Sequence, residues 1–93
     1  MSYNFVIQTE AIHDIQEAFE WYEKKQEGLG YLLIEEIEIC YTKLFEHPHH
    51  YSYINKRYRR IKVNRFPYLI IYEIEGEDIF INSVRHAKQK PKF

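Results

Sequence analysis

The short segment Gly28-Leu29-Gly30 separates two stretches of helical periodicity in the first half of the chain. Apolar residues recur every three or four positions on both sides of it: Ile12, Ile15, Phe19 and Tyr22 before it, and Leu33, Ile37, Cys40, Tyr41 and Leu44 after it. Glycines this closely spaced interrupt a helix, and so short a connection makes the flanking helices antiparallel neighbours. The sequence therefore predicts a helical hairpin, with Thr9 as N-cap of a helix to about Lys25 and a second helix from about Gly30 to Glu46.

Four segments with the composition of strands flank this hairpin. Tyr3–Gln8 alternates apolar and polar side chains before it, and Arg57–Asn64, Tyr68–Glu75 and Ile79–Val84 follow it. The tight connection Glu75-Gly76-Glu77-Asp78 predicts that the last two strands pair antiparallel.

The last strand has an irregular apolar pattern. Ile79 and Ile81 have one parity, whereas Phe80 and Val84 have the other. A bulge, or burial of both faces, would produce this pattern. The element order β-α-α-β-β-β predicts an α+β fold in which the N-terminal strand and the helical hairpin pack on an antiparallel sheet. At 93 residues, the chain is expected to form a single domain spanning residues 1–93.

Composition narrows the expected environment. The chain has one cysteine, Cys40, so no disulfide can form within it, and its place on the apolar helical stripe predicts a buried structural thiol. No basic segment followed by an apolar run opens the chain, and no apolar run approaches about 18 residues. We therefore expect a cytoplasmic protein that does not span a membrane.

Charge is distributed unevenly along the chain. Residues 1–46 hold ten acids and three bases, a formal charge of −7, whereas residues 47–93 hold ten bases and four acids, a formal charge of +6. Within the second half, six cations fall in ten residues: Lys56, Arg57, Arg59, Arg60, Lys62 and Arg65. In a strand, Arg60 and Lys62 would share one side, and Arg57 and Arg59 the other. This basic segment is either a surface for a polyanion or acidic partner, or an edge strand kept soluble by charge.

Candidate sites for small ligands are few. His47, His49 and His50 do not have the spacing of a known metal site. No glycine-rich phosphate loop or serine-nucleophile motif is present. We expect neither a metal ion nor a cofactor.

Landmarks spread over nearly the whole chain resemble the ParE branch of the RelE/ParE toxin superfamily, the toxins of type II toxin–antitoxin and plasmid stabilisation systems. They begin with Tyr3, Ala11, Asp14-Ile15, Tyr22, the glycine break, Leu44 and Pro48. They continue with Arg60, Phe66-Pro67-Tyr68, Ile70, Tyr72, Val84, His86, Pro91 and the terminal Phe93. The combination of Phe-Pro-Tyr-x-Ile-x-Tyr with a later Val-x-His, in this element order, carries most of the resemblance.

The resemblance implies one of two activities. The RelE-like branch cleaves mRNA in the ribosome, which requires a base, phosphate-binding cations and an acid. Where that branch has two arginines and often a terminal tyrosine, this chain has Leu69, Ala87 and Phe93. The ParE branch inhibits DNA gyrase and needs no nuclease residues, so the resemblance favours a protein–protein inhibitor over an enzyme. A ribosome-dependent endonuclease with a rearranged site remains an alternative, as does an inert member that only binds its antitoxin.

The resemblance also implies partners and contact residues. A cognate antitoxin would bury apolar side chains of Trp21, Tyr22 and Tyr41, and the free toxin would be able to dimerise. Target binding is expected from the basic strand and the tail, through Arg60, Arg85, His86, Lys88, Lys90, Lys92 and Phe93. In the nuclease alternative, Arg60, Lys62, Arg85 and His86 would hold the phosphate and transfer protons.

Overall fold

A computed structural model describes residues 3–88 of the chain. Its elements in chain order are β1 (Asn4–Ile7), α1 (Thr9–Lys25), α2 (Leu29–Glu46), β2 (Arg59–Lys62), β3 (Tyr68–Glu75) and β4 (Asp78–His86). This order confirms the predicted α+β fold. The predicted target-binding residues Lys90, Lys92 and Phe93 lie outside the described residues. No helix within residues 3–88 is long and apolar enough to span a bilayer.

The four strands form one sheet in the order β1-β4-β3-β2. The pairs β2–β3 and β3–β4 are antiparallel, as predicted. The expectation of an entirely antiparallel sheet was wrong at one edge, because β1 pairs parallel with β4 from Asn4 opposite Asp78 to Ile7 opposite Ile81. A parallel pair needs a long crossover, and the helical hairpin begins that connection.

Of the two explanations for the irregular pattern of the last strand, the structure shows the bulge. Ile71 pairs with Ser83 and Tyr72 pairs with Ile81, so Asn82 is the extra residue on β4. The insertion changes the parity of β4, which lets Val84 face the same side as Ile81 although their spacing is odd. That side faces the helices and is buried.

Two boundaries differ from the sequence prediction. Thr9 is the first residue of α1 and Gln8 is its N-cap, without a side-chain capping bond. The strand predicted over Arg57–Asn64 covers only Arg59–Lys62. It starts late because Asn55 Oδ1 accepts hydrogen bonds from the backbone N–H groups of Arg57 and Tyr58, which forms a turn there.

The helical hairpin depends on a close approach at Gly30. A Cβ atom on Gly30 would lie 2.6 Å from the carbonyl oxygen of Phe19, so only glycine fits without a shift of α2 against α1. The Glu23 carboxylate accepts the N–H groups of Gly28 at 3.2 Å and Gly30 at 2.8 Å. These bonds satisfy backbone donors at the start of α2, where no side chain of the N-cap can do so.

The core lies between the hairpin and one face of the sheet. Leu33, Ile37, Cys40 and Leu44 of α2 and Ala11 and Ala18 of α1 pack on Ile61, Ile70, Tyr72, Ile79, Ile81 and Val84. The burial of Cys40 confirms the predicted structural thiol, and this burial raises its pKa above the usual value. Tyr72 is also fully buried, and its hydroxyl donates to the Pro48 carbonyl at 2.7 Å.

Candidate binding cleft

A cleft with a volume of about 360 Å³ opens between α1 and the ends of β3 and β4. It is lined by Asp14, Glu17, Ala18, Trp21, Tyr22, Tyr68, Val84, Arg85 and His86. Four of these residues had been assigned from the sequence to two separate surfaces, Trp21 and Tyr22 to the antitoxin and Arg85 and His86 to the target. The structure brings all four into one site.

The topology of the sheet creates this cleft. β1 accompanies β4 only as far as Ile81, and the chain then enters α1, so the remainder of β4 pairs with β3 on one side and has no strand on the other. Asp14 of α1 takes that place, because its Oδ2 accepts the Val84 N–H at 2.9 Å. The side chain thus satisfies a backbone donor on an exposed strand edge. It also fixes α1 as the second wall of the cleft.

Four neighbouring rings form a continuous row along the cleft. Trp21 and Tyr22 have centroids 4.9 Å apart, Tyr22 and Tyr68 are 6.2 Å apart, and Tyr68 and His86 are 5.4 Å apart, all in edge-on arrangements. Burial and the neighbouring Tyr22 raise the pKa of Tyr68, so its hydroxyl is protonated at neutral pH. Trp21 is 52% exposed and is the only tryptophan of the chain. The rings give the cleft an apolar lining with hydroxyl and imidazole groups at its rim.

Arg85 contributes a guanidinium group that is largely enclosed. Its side chain is 14% exposed, and its Nη2 lies 3.5 Å from Glu10 Oε1. Its Nε and Nη2 atoms are buried and have no hydrogen-bond acceptor. A guanidinium group in this state carries a positive charge whose donors are incompletely satisfied.

His86, the last residue of β4, also lines the cleft. Its Nδ1 accepts the backbone N–H of Lys88 at 3.2 Å. Opposite it on β3 is Tyr68, which the sequence analysis did not assign to the site. The signal that points to Tyr68 is its position in the Phe-Pro-Tyr landmark at the start of the strand antiparallel to β4.

Arg60 and Lys62 lie elsewhere, on β2, the opposite edge strand of the sheet. They line a separate groove of about 380 Å³ together with His50, Tyr51, Ser52, Ile61 and Leu69. Lys62 Nζ donates to the carbonyls of Val63 at 3.1 Å and Phe66 at 3.3 Å. Within the described part of the chain, the exposed Arg60 side chain has neither a hydrogen bond nor an ion pair.

Most other cations of the basic segment have partners within the fold. Arg57 pairs with Glu73 through two hydrogen bonds, and this carboxylate raises the pKa of Arg57. Arg57 therefore lies on the Glu73 side of the sheet and not beside Arg59, contrary to the sequence prediction.

Two further arginines hold loops in place. Arg59 donates to the carbonyls of His49 and Tyr51 and to the Tyr53 hydroxyl, and its guanidinium lies 3.9 Å from the Tyr53 ring centroid. Arg65 lies 3.4 Å from the buried carboxylate of Glu36. The basic segment is therefore largely structural, and Lys56 and Arg60 are its exposed cations whose side chains have no partner among residues 3–88.

Tyr41 does not share a surface with Trp21 and Tyr22. It lies on α2, where its ring packs edge-on against Phe5 of β1 at 5.6 Å and lines a shallow apolar pocket with Phe45. Its hydroxyl is buried without a hydrogen-bond partner, and burial, followed by the proximity of Cys40, raises its pKa to about 12. The predicted antitoxin-binding residues thus occupy two separate places.

The histidine-rich loop does not assemble a metal centre within residues 3–88. No group of three His, Cys, Asp or Glu side chains in this range lies close enough to hold a metal ion. His49 instead packs near Tyr3, and His50 packs against Tyr51.

Comparison with known proteins gives a consistent result. The family described as "ParE toxin of type II toxin-antitoxin system, parDE" matches residues 5–91. The fold is similar to that of a solved structure described as the chromosomal ParDE TA system from P. aeruginosa, with a TM-score of 0.80. The two chains are 12% identical, and the match covers 91% of this chain and 96% of the other. No curated protein matches the chain.

Proposed function

Because the chain belongs to the ParE toxin family of type II toxin–antitoxin systems, we propose that it inhibits DNA gyrase by protein–protein contact and is neutralised by a cognate antitoxin. The proposal places the protein in the bacterial cytoplasm, where gyrase acts on DNA. It assigns target contact to the cleft residues Arg85 and His86 and to the basic tail that follows them.

One observation carries the preference for binding over RNA cleavage. In the cross-strand register, Lys62 lies opposite Leu69, and Leu69 lies opposite Arg85, so the three form one row across β2, β3 and β4. Two strand spacings separate the outer cations by about 10 Å at the backbone. The central position, where a third cation would join them around one phosphate, holds an apolar side chain.

The cations at the two ends of the row also face away from each other. Lys62 donates to carbonyls of the β2–β3 connection, and Arg85 turns toward Glu10 on α1. An RNA-cleaving site needs cations directed at one phosphate together with an acid and a base within hydrogen-bond reach. The dispersal of Arg60, Lys62, Arg85 and His86 over two sites therefore supports an inhibitor that acts by binding.

Exposed apolar groups on the hairpin support a role for an antitoxin. Ile12, Trp21 and Tyr31 are each more than half exposed although they are large and apolar. A partner helix or strand that covers such groups would remove apolar area from water. Trp21 lies at the cleft, so an antitoxin that covers it would also block access to Arg85 and His86.

The proposal is tested by inducing the chain in a bacterium that lacks the antitoxin. Gyrase supercoiling, gyrase-linked DNA breaks and mRNA integrity are measured in the same cultures. We expect DNA breaks and lost supercoiling with intact mRNA. Purified toxin should reproduce the inhibition with purified gyrase, without ribosomes.

Three variants sharpen this test. Arg85→Ala and His86→Ala should each weaken gyrase inhibition, whereas Leu69→Val should leave it unchanged if the apolar row position plays no part. Ribosome-dependent mRNA cleavage that His86→Ala abolishes would contradict the proposal and favour the endonuclease. Normal growth after induction of a folded, abundant protein would favour the inert member.

A further inference from the structure

Two arginines of this chain present the same edge of the guanidinium group to different surroundings. In Arg57, Nε and Nη2 donate side by side to the two oxygens of Glu73, at 2.5 and 3.2 Å. In Arg85, Nε and Nη2 are buried and neither has a hydrogen-bond acceptor. Arg57 therefore shows a carboxylate bonded to this edge, whereas at Arg85 the Glu10 carboxylate lies beside the same edge, 3.5 Å from Nη2, without a hydrogen bond to it.

Among residues 3–88, the Nε and Nη2 edge of Arg85 has no hydrogen-bond acceptor, which leaves a place for an acceptor from a bound partner. Buried side-chain donors are nearly always paired, because a buried donor without an acceptor loses its hydration without compensation. Glu10 Oε1, at 3.5 Å from Nη2, attracts the charge but makes no hydrogen bond with it. Arg85 borders the cleft, and a ligand carboxylate that enters there reaches this edge by displacing the partly exposed Glu10 side chain.

A single carboxylate is the acceptor that matches this edge. The planar fork of an arginine binds two carboxylate oxygens at once, as Glu73 does on Arg57. Asp14 and Glu17 also line the cleft, and their charge opposes a nucleic-acid backbone, which brings one negative charge with every phosphate along the strand, more than it opposes a single carboxylate. The cleft thus favours a carboxylate over a nucleic-acid backbone.

The lining of the cleft indicates what carries that carboxylate. Trp21, Tyr22 and Tyr68 line the cleft together with Arg85 and offer apolar ring faces there. A glutamate has a two-carbon stem that can lie against these rings while its carboxylate reaches the enclosed guanidinium. We propose that the cleft binds a glutamate side chain of a partner protein, with Arg85 as its carboxylate anchor. The nature of the partner, antitoxin or target, rests on the proposed function, but the recognition chemistry does not.

The test uses the tryptophan of the cleft as its reporter. Trp21 is the only tryptophan in the chain, so its fluorescence reports on this site. The probe is the peptide acetyl-Ala-Leu-Glu-Leu-Ala-amide, and the matched control has glutamine at the centre. We expect the glutamine peptide to bind at least about tenfold more weakly, which corresponds to about 1.4 kcal/mol. Peptides with a central aspartate, or with a free terminal carboxylate and no acid, test the other sources of a carboxylate.

Substitutions in the protein locate the effect. Arg85→Lys keeps the charge but removes the fork, so the preference for glutamate over glutamine should fall to about twofold or less. Arg57→Lys makes the same change in an arginine that already bonds to Glu73 and does not line the cleft. It should leave the preference for glutamate over glutamine intact. Glu17→Gln removes a like charge from the cleft and should strengthen glutamate binding. Circular dichroism verifies the fold of each variant.

The result that overturns the inference is equal binding of the glutamate and glutamine peptides, or a preference that Arg85→Lys leaves unchanged. Stronger binding of the aspartate or terminal-carboxylate peptide would also reject the assignment to glutamate. Failure of gyrase inhibition would overturn the proposed target without changing these peptide measurements. The two proposals are therefore separable.

Discussion

The half of the sheet formed by β2 and β3 and the half formed by β1 and β4 differ in how their polar side chains are paired. On the β2–β3 side, Arg57, Arg59 and Lys62 donate to acceptors within the chain, and the Tyr72 hydroxyl donates to Pro48. On the β1–β4 side lie all the buried side-chain nitrogen and oxygen atoms that lack a partner among residues 3–88. They are Tyr41 Oη, Ser83 Oγ, Arg85 Nε and Arg85 Nη2.

This difference teaches that a high density of cations is a poor guide to a binding surface. The basic segment has the higher density, but its charges mostly hold the loop before β2 and the β2–β3 connection in place. Arg85 is the only arginine or lysine of β4. Its Nε and Nη2 are nevertheless buried donors that have no hydrogen-bond acceptor among residues 3–88. Unpaired buried donors indicate where a partner is to bind, because natural folds rarely leave such groups unsatisfied.

The most direct test of this difference is to replace one arginine of each half by methionine. Methionine keeps the apolar stem of an arginine and removes its charge and donors. Arg59→Met should lower the free energy of unfolding by about 2 kcal/mol, because it leaves the His49 and Tyr51 carbonyls without their charged donor. Arg85→Met should change it by less than about 0.5 kcal/mol, because no hydrogen bond of its Nε or Nη2 is lost. Urea unfolding measures both, and equal losses would remove the distinction between the halves.

A second matched pair compares two buried phenols. Tyr72→Phe should cost about 1.5 kcal/mol, because the hydroxyl that donates to Pro48 disappears and leaves a buried carbonyl unpaired. Tyr41→Phe should be neutral or slightly stabilising, because its buried hydroxyl has no partner to lose. The same unfolding experiment at pH 7 measures both changes. A loss at Tyr41 as large as that at Tyr72 would contradict the comparison.

Both the successes and the failures of the sequence analysis follow from the range of the interactions involved. The hairpin was predicted from the glycine break at Gly28-Leu29-Gly30, and the β3–β4 pair from the tight turn at Gly76. The irregular apolar pattern of β4 indicated a bulge as one of two explanations. The parallel pairing of β1 with β4 joins opposite ends of the chain, so no local pattern specified it.

The cleft was predictable only in part, for the same reason. Trp21, Tyr22, Arg85 and His86 were selected individually, but their meeting depends on α1 covering the strand edge that β1 leaves free. Asp14 fixes that arrangement through a backbone N–H of Val84, a bond that sequence spacing cannot show. Likewise, the basic segment looked like a surface because the acceptors of Arg57 and Arg59 lie in other elements.

Alkaline pH provides a third, smaller test on the β1–β4 side of the sheet, where the buried polar atoms without partners lie. Burial raises the pKa of Tyr41 to about 12, whereas the phenol of an unfolded chain has a pKa of about 10. Above pH 10 the unfolded state loses this proton first, so the stabilising contribution is complete below pH 10 and is lost as pH rises toward 12. At pH 11 the loss from Tyr41 is about 1 kcal/mol. The drop in unfolding free energy between pH 9 and pH 11 should be smaller in Tyr41→Phe by that amount, and equal drops would refute the assignment.

The smallest change in unfolding free energy is expected for a substitution of Arg60. It allows an arginine without a partner to be compared with Arg59 inside the same basic segment. Arg60 is exposed, and its side chain has no partner among residues 3–88, so Arg60→Ala should change the unfolding free energy by less than about 0.5 kcal/mol. This near-neutrality lets Arg60→Ala report on function alone, unlike Arg59, whose loss would disturb the loop it holds. If gyrase inhibition depends mainly on the cleft, Arg60→Ala should weaken it less than Arg85→Ala does in a supercoiling assay. The reverse order would move the target contact to the groove beside β2, because it would show that an exposed cation without a partner among residues 3–88 contributes more than the Arg85 guanidinium of the cleft.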